Sequence, residues 1–289
     1  MTRPVRAPTV AIAVGAGSAE RDSDTPLLLA ALAARAVSAR AIAWDDPAGG
    51  WDAYDLVVLR STWDYVPRRD EFLAWAESVP RLANPPDVVR WNTDKSYLRE
   101  LELAGVPVVP TSWIAPGEPV ELPDRDVVVK PTVGNGARGA ARFRAGDPGA
   151  AAHVARLHDG GAVAMVQPFV ASVEHRPETG IVVIGNRPSH AIGKPLQLGR
   201  VLRDHSEEDR GIVRAAARDD ELALAASALA HVPGGPDRLL YARVDMVAGD
   251  DGTPMIMELE VTEPLLFLAL DDGAAGRLAA AVVDLVAAS

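Results

Sequence analysis

Two segments set acids and one arginine at strand spacing: Tyr241-Ala-Arg-Val-Asp-Met-Val247 and Met255-Ile-Met-Glu-Leu-Glu-Val-Thr-Glu-Pro264. Apolar positions alternate with others along both, the pattern of a β-strand. Alternation puts Arg243 and Asp245 on one face of the first strand and Glu258 and Glu260 on one face of the second. Gly249-Asp-Asp-Gly252 between them reads as a turn. Pairing Val247 with Pro254 sets Arg243 opposite Glu258 and Asp245 opposite Ile256, with all four charged groups on one face. Three carboxylates there would repel strongly, and a divalent cation resolves the repulsion. All-oxygen ligation suits Mg²⁺ or Mn²⁺ rather than zinc. The alternative is a solvated strand face, which the apolar flanks disfavour.

Lys130 closes the apolar run Val127-Val-Val-Lys130, and Thr132-Val-Gly-Asn-Gly-Ala-Arg-Gly139 follows. Glycines let backbone N–H groups approach phosphate oxygens, and a lysine adds a point charge for the same anion. No Gly-Lys-Ser/Thr follows, so this is not a P-loop; by itself it is equally a hairpin tip. Lys95, taken alone, is a surface residue of an amphipathic helix. Gln167-Pro-Phe-Val170 reads either as a hinge that meets an adenine edge or as a plain connector. Glu174 reads either as a ribose ligand or as a lone exposed acid. His190 and Lys194 share a face of one predicted strand, as two solvated residues also would.

The elements that must position these groups begin with an alternation of strand and helix. Strands are expected at 10–14, 41–43 and 56–59, the last nearly all apolar, as a parallel strand covered on both faces should be. Helices are expected at 27–37, with Pro26 near its first turn, and at 69–79, with Phe72, Trp75 and Val79 on one side. This order implies a doubly wound parallel domain, whose ligands bind beyond the carboxyl ends of the strands. Arg60-Ser-Thr-Trp-Asp-Tyr65 lies there. Pro85-Pro86 marks a boundary. Asn92 or Thr93 can cap a helix running to Ala104 and ended by Gly105. Further strands are expected around Val108–Val109 and Ile114, at 127–130 and at 164–170, with a helix at 150–157. A hairpin pairs 181–184 with 190–194, and a helix at 274–288 closes the chain. The charged stretch 200–221 reads either as a flap over the site or as solvated surface.

The 289 residues suffice for two or three modest domains or one large α/β unit. A hydrophobic share of 48% with 24% charged residues is ordinary for a soluble globular protein. The net charge of −11 argues against a nucleic-acid partner, because neutralising phosphates needs clustered Lys and Arg. Cys is absent, which excludes disulfides, thiolate nucleophiles and Cys-ligated zinc. A cytoplasmic home fits. The start, Met1-Thr-Arg-Pro-Val-Arg-Ala, superficially resembles a signal peptide, but the apolar run is too short and reads as a buried strand. No run spans a bilayer, so no membrane partner is expected.

Taken in order, lysine, lysine with a glycine-rich loop, apolar hinge with acid, Arg-x-Asp and Glu-x-Glu resemble the ATP-grasp superfamily over nearly the whole chain. Arg243-Val-Asp245 and Glu258-Leu-Glu260 look closest to its glutathione-synthetase and D-alanine–D-alanine-ligase branch. That branch commonly carries Asn where this chain has Glu260, which adds negative charge near a polyphosphate. Arg60-Ser-Thr-Trp-Asp-Tyr65, Trp91-Asn-Thr-Asp-Lys95 and Glu258-Leu-Glu-Val-Thr-Glu-Pro264 narrow the resemblance. They look like the subgroup that includes the cyclo-ligase closing O-ureido-D-serine in D-cycloserine biosynthesis.

The resemblance implies an α/β chain with the ATP-grasp fold. Its parts would be an N-terminal doubly wound parallel domain (1–91), a small α+β lid domain with its linking helix (92–166) and a C-terminal α+β domain (167–289). It implies ATP and Mg²⁺, a small amino-acid-like substrate, a homodimer as one arrangement, and ligation through an acyl phosphate. Asp245, Glu258 and Glu260 would hold two Mg²⁺ ions, and Arg243 and Lys194 would be catalytic. Lys95 and Lys130 would bind phosphates under a lid of Gly134, Gly136 and Gly139. Gln167, Phe169 and Val170 would border adenine, with Glu174 on ribose. Arg60, Ser61, Thr62, Asp64 and His190 would face the substrate, Arg60 gripping a carboxylate. Trp63 and Tyr65 would limit substrate size or pack the domain interface. A kinase that stops at phosphoryl transfer and a non-catalytic nucleotide-binding protein remain the rival readings.

Overall fold

The computed structural model describes residues 6–18, 21–196 and 211–288. β1 (Thr9–Val14), β2 (Ser38–Ala43), β3 (Leu56–Leu59) and β4 (Leu82–Ala83) form a parallel sheet in the order β2-β1-β3-β4. Helices cover both faces, which is why β1 and β3 are apolar throughout. α1 (Asp24–Ala33) and α7 (Ala274–Ala287) bury Leu28, Leu32, Leu278 and Val282 against Val10, Ile12 and Val58. α2 (Arg69–Ser78) buries Phe72, Leu73 and Ala76 against Ala11, Ala13 and Leu59. The connections from β1 and β3 diverge, so a crevice opens past their carboxyl ends.

The single helix expected up to Ala104 is two. α3 (Pro86–Asn92) starts at the predicted boundary, and α4 (Tyr97–Leu103) follows after a short break. Asn92 closes α3 rather than capping α4. Its amide donates to the Leu259 carbonyl at 2.6 Å and its Oδ1 accepts from the Val261 N–H at 2.9 Å. Gly105, at φ +83°, ends α4 as a left-handed residue should.

The second sheet holds β5 (Ser112–Ile114), β6 (Val127–Pro131), β7 (Ala141–Phe143) and β8 (Ala164–Pro168) in the order β5-β8-β6-β7, all antiparallel. α5 (Pro148–Asp159), capped by Asp147, packs Val154 on Val127, Val129 and Val166. The third sheet holds β9 (Glu178–Ile184), β10 (Arg187–Lys194), β11 (Val213–Ala215), β12 (Tyr241–Ala248) and β13 (Pro254–Glu260) in the order β11-β10-β9-β12-β13. α6 (Asp219–Leu229) packs against β13 and buries Leu224, Ala225 and Ala228. Of the charged stretch 200–221, residues 200–210 lie outside the described residues, and the remainder supplies β11 and the first turn of α6.

The β12–β13 register differs from the expected one. Arg243 faces Glu260, Asp245 faces Glu258 and Met246 faces Ile256, which leaves Met257 as a bulge. An unbroken ladder from Met246 would set Met257 opposite Asp245 and turn both glutamates to the other face. The bulge restores all four charged side chains to one face.

Candidate active site

The three sheets meet around a cavity of about 360 Å³. β6 and the loop after it contribute Lys130, Gly134, Asn135 and Gly136; the turn before α4 contributes Lys95. β8 and its exit contribute Gln167, Phe169 and Val170. β9, β10, β12 and β13 contribute Glu178, Lys194, Arg243, Glu258 and Glu260. Trp63 and Tyr65 come from the first unit, and Glu263, Leu265 and Phe267 from the segment after β13.

Most charges in this cavity are matched. Arg243 clamps Asp245 with two guanidinium nitrogens at 2.9 Å, also pairs with Glu260, and donates Nη1 to the Leu265 carbonyl at 2.7 Å. Lys194 bridges Asp245 and Glu178, the latter at 3.2 Å. Lys95 Nζ lies 3.2 Å from Glu258 and donates to the Gly134 carbonyl. Arg243 and Asp245 are 6% and 1% exposed, which rules out a solvated strand face. Among the described residues no three acids or histidines surround a common point. Gly180, paired with Asp245, has no room for a side chain: a Cβ would lie 2.9 Å from Asp245 Oδ1.

The electrostatics follow from this pairing. Burial pushes Asp245 up, but Arg243 and Lys194 outweigh it and hold its pKa at about 2. Burial likewise opposes ionisation of Glu258, yet Lys95 and Lys130 keep it below the usual carboxylate range. Glu260 is raised to about 7 by burial and by the Glu258 and Asp245 charges, against the pull of Arg243. Burial also raises Glu263 to about 8, helped by Glu260. Lys130 is lowered by burial and by Lys95, partly offset by Glu258. Among the described residues Lys130 has no ion pair within 4.0 Å, so its charge faces the cavity unmatched.

Residues 10–84 match the family described as the N-terminal domain of D-cycloserine synthetase DcsG. Over 302 residues the chain is 36% identical to the cycloserine biosynthesis protein DcsG of Streptomyces lavendulae, covering 95% of this chain and 98% of that one. The chain belongs to the DcsG family of ATP-grasp ligases. The crystal structure of D-cycloserine synthetase DcsG superposes with a TM-score of 0.86 at 34% identity, covering 96% of this chain and 99% of that one. A D-alanine–D-alanine ligase from Bacillus anthracis shares the fold, with a TM-score of 0.68, 14% identity and 98% of each chain covered. This DcsG-family protein is therefore an ATP-dependent carboxylate–amine ligase acting on small molecules, and the non-catalytic and kinase readings fall away.

Within this DcsG-family ligase the cavity gathers Lys95, Lys130, Gly134, Gly136, Gln167, Phe169, Val170, Lys194, Arg243, Glu258 and Glu260. Asp245 sits directly behind Arg243 and Lys194. Gly139 lies off the cavity at the end of the loop, its carbonyl 2.8 Å from His153 Nε2. Glu174 is not on the cavity wall. It is half-exposed and pairs at 2.6 Å with Arg142, whose guanidinium covers the Phe169 ring 3.4 Å from its centroid. Glu178, four residues later at the start of β9, occupies the wall instead.

The first-unit residues expected to face substrate are mostly internal. Arg60, 1% exposed, donates Nη2 at 2.9 Å to Asp24 and to the Pro264 carbonyl and lies over the Tyr241 ring. Ser61 is buried and donates to Ser18 at 3.0 Å. Thr62 is buried, with its Oγ1 unpaired among the described residues. Asp64 braces Trp44 Nε1 at 3.0 Å and Arg68 at 3.1 Å. His190 is on the same strand face as Lys194 but further along, buried, with Nε2 2.8 Å from the Leu266 carbonyl. Arg60 and His190 converge on one segment. The carbonyls of Glu263, Pro264, Leu265 and Leu266 meet Trp63, Arg60, Arg243 and His190, and Asp24 accepts from the N–H groups of Leu266 and Leu268. Sequence reasoning missed this clamp because its partners are far apart in the chain. Trp63 and Tyr65 do reach the cavity, and Trp63 also ties the lid, its carbonyl accepting from Asn135 at 2.9 Å.

Proposed function

We propose that this ligase phosphorylates the carboxylate of a small amino-acid-like molecule with ATP and joins the resulting acyl phosphate to a nitrogen nucleophile. Within the same molecule this closes a ring, as the name of its DcsG relative implies for that protein. The observation that carries the reading is the placement of Arg243, Glu258 and Glu260 on one cavity wall with Lys95 and the unmatched Lys130. A carboxylate has no good leaving group, and phosphorylation supplies one. Lys130 and Lys95 would bind the phosphate chain, and Arg243 would stabilise charge developing on the transferring phosphoryl group. Lys194 holds Asp245 and Glu178 in place meanwhile. The donor chemistry fits Mg²⁺: Asp245, Glu258 and Glu260 offer hard oxygen atoms only, and with burial and the Glu258 and Asp245 charges holding Glu260 at about 7, an added cation would favour its ionised form. Bound there, Mg²⁺ would neutralise phosphate charge as the phosphoryl group transfers.

Gln167, Phe169 and Val170 would border the adenine. The loop from Gly134 to Gly139 would exclude water and protect the acyl phosphate from hydrolysis. We further propose that the three sheets mark the units 1–91, 92–166 and 167–289, with β8 crossing the second border, and that the enzyme works in the cytoplasm. No helix among the described residues is long and apolar enough to cross a membrane. The test is ADP release with Mg²⁺, ATP and a panel of D- and L-amino acids that includes O-ureido-D-serine, with products weighed by mass spectrometry. A cyclised product from O-ureido-D-serine supports ring closure. ADP release only with a second amine present would move the reading to intermolecular ligation, and no release with any carboxylate would remove it.

A further inference from the structure

The acids on the cavity wall are spoken for, with one exception. Glu258 pairs with Lys95, Glu178 with Lys194, and Glu260 with Arg243. Among the described residues Glu263 has no ion pair within 4.0 Å, and Tyr65 lines the same cavity. The Tyr65 ring is itself fixed, stacked on Phe72 with centroids 4.8 Å apart. The backbone under Glu263 is equally fixed, because four successive carbonyls from Glu263 to Leu266 each accept from a side chain. A clamp of that kind holds a functional side chain in one place.

We propose that Glu263, together with the Tyr65 hydroxyl, receives a cationic amine of the substrate and so selects molecules that carry an ammonium group beside the reacting carboxylate. The inference rests on the ligase reading of this cavity and names the substrate class within it. Glu263 lines the same cavity as Arg243 and Glu258, so one small molecule could meet all three. The pair offers what an ammonium needs, a carboxylate and a hydroxyl oxygen as acceptors. The ammonium would add to the positive charge of Lys95, which already acts on Glu263 from the same cavity wall. Burial and the Glu260 charge raise the Glu263 pKa, so a bound cation would favour its ionised form.

The experiment measures ADP release by the wild type, Glu263→Gln and Glu263→Asp with O-ureido-D-serine and with the same molecule lacking its α-amine. The wild type is expected to favour the amine in kcat/KM by roughly 10- to 150-fold, the range for a charged hydrogen bond. Glu263→Gln should erase that preference through the KM for the amine, leaving the KM for ATP unchanged, and Glu263→Asp should restore part of it. A preference that survives in Glu263→Gln, or equal losses on both compounds, would overturn the proposal. If the wild type turns over neither compound, the ring-closing reading fails separately. Calorimetry on ATP-saturated enzyme then decides, with D-serine compared against 3-hydroxypropanoate. An amine preference that vanishes in Glu263→Gln supports the ammonium site, and no preference overturns it.

Discussion

Glu258 and Glu260 are neighbours on β13 with opposite electrostatic fates. Lys95 and Lys130 keep Glu258 ionised, whereas burial and two like charges bring Glu260 to about 7. A cation arriving with the nucleotide therefore meets a ready carboxylate at Glu258. Replacing Glu258 with Gln should lower ADP release by roughly 10²–10³-fold while the thermal midpoint stays close to that of the wild type; full turnover in this variant would take Glu258 out of the site. Lys130 is the complementary case, a cation without a partner in a site built for anions. Lys130→Ala should weaken ATP binding by roughly tenfold or more, and unchanged affinity by calorimetry would reject its assignment to phosphate. The residue types at these positions were legible in the sequence, because strand alternation is a local property. Their pairing was not: nothing near Glu174 in sequence announces that Arg142 holds it away from the cavity.

Between elements, the segment after β13 matters most. Arg60 looked like a substrate ligand because it lies just beyond the end of a strand, and His190 because it shares a strand face with Lys194. Both instead hold this segment, Arg60 through Pro264 and His190 through Leu266. Arg60→Ala would leave Asp24 buried without its cation, and chemical denaturation should show a loss of about 3–5 kcal/mol. A normal midpoint with impaired carboxylate binding would return Arg60 to the substrate site. His190 adds a pH dependence. Burial lowers its pKa, despite the hydrogen bond to Leu266. The unfolded chain therefore takes up the proton first as the pH falls. Stability should be full above about pH 6.5 and decline below it, by at most about 1.4 kcal/mol per pH unit. His190→Gln should flatten that limb in denaturation curves taken between pH 7 and pH 5. An unchanged slope would show that His190 titrates alike in both states.

Across the whole chain, the cavity exists only where three sheets converge. Asn84 ties the first unit, and Asn92 the start of the second, to the β12–β13 hairpin, Asn84 donating at 2.9 Å to the Tyr241 carbonyl and at 2.7 Å to that of Val261. Asn135 and Lys95 tie the glycine-rich loop down from two sides. Residues of all three units line this cavity, and ligand binding to the folded state alone stabilises it. Mg²⁺ with ATP should therefore slow amide exchange in residues 132–140 and 263–268 together. Exchange that slows in neither segment would place the nucleotide elsewhere.

The order of residues was enough to assign the parallel first sheet, the acidic hairpin and the ATP-grasp class. Helix and strand periods are written locally, and the charged residues keep their spacing whatever the chain does elsewhere. It was also enough to bring Lys95, Lys130, Arg243, Glu258 and Glu260 under suspicion as one group. Only the folded chain could place the Met257 bulge that turns two glutamates toward Asp245. Only the folded chain could show Arg60 reaching a carbonyl 204 positions away. A side chain's partner is set by packing between distant segments, where geometry and burial decide whether a polar group meets substrate, solvent or backbone.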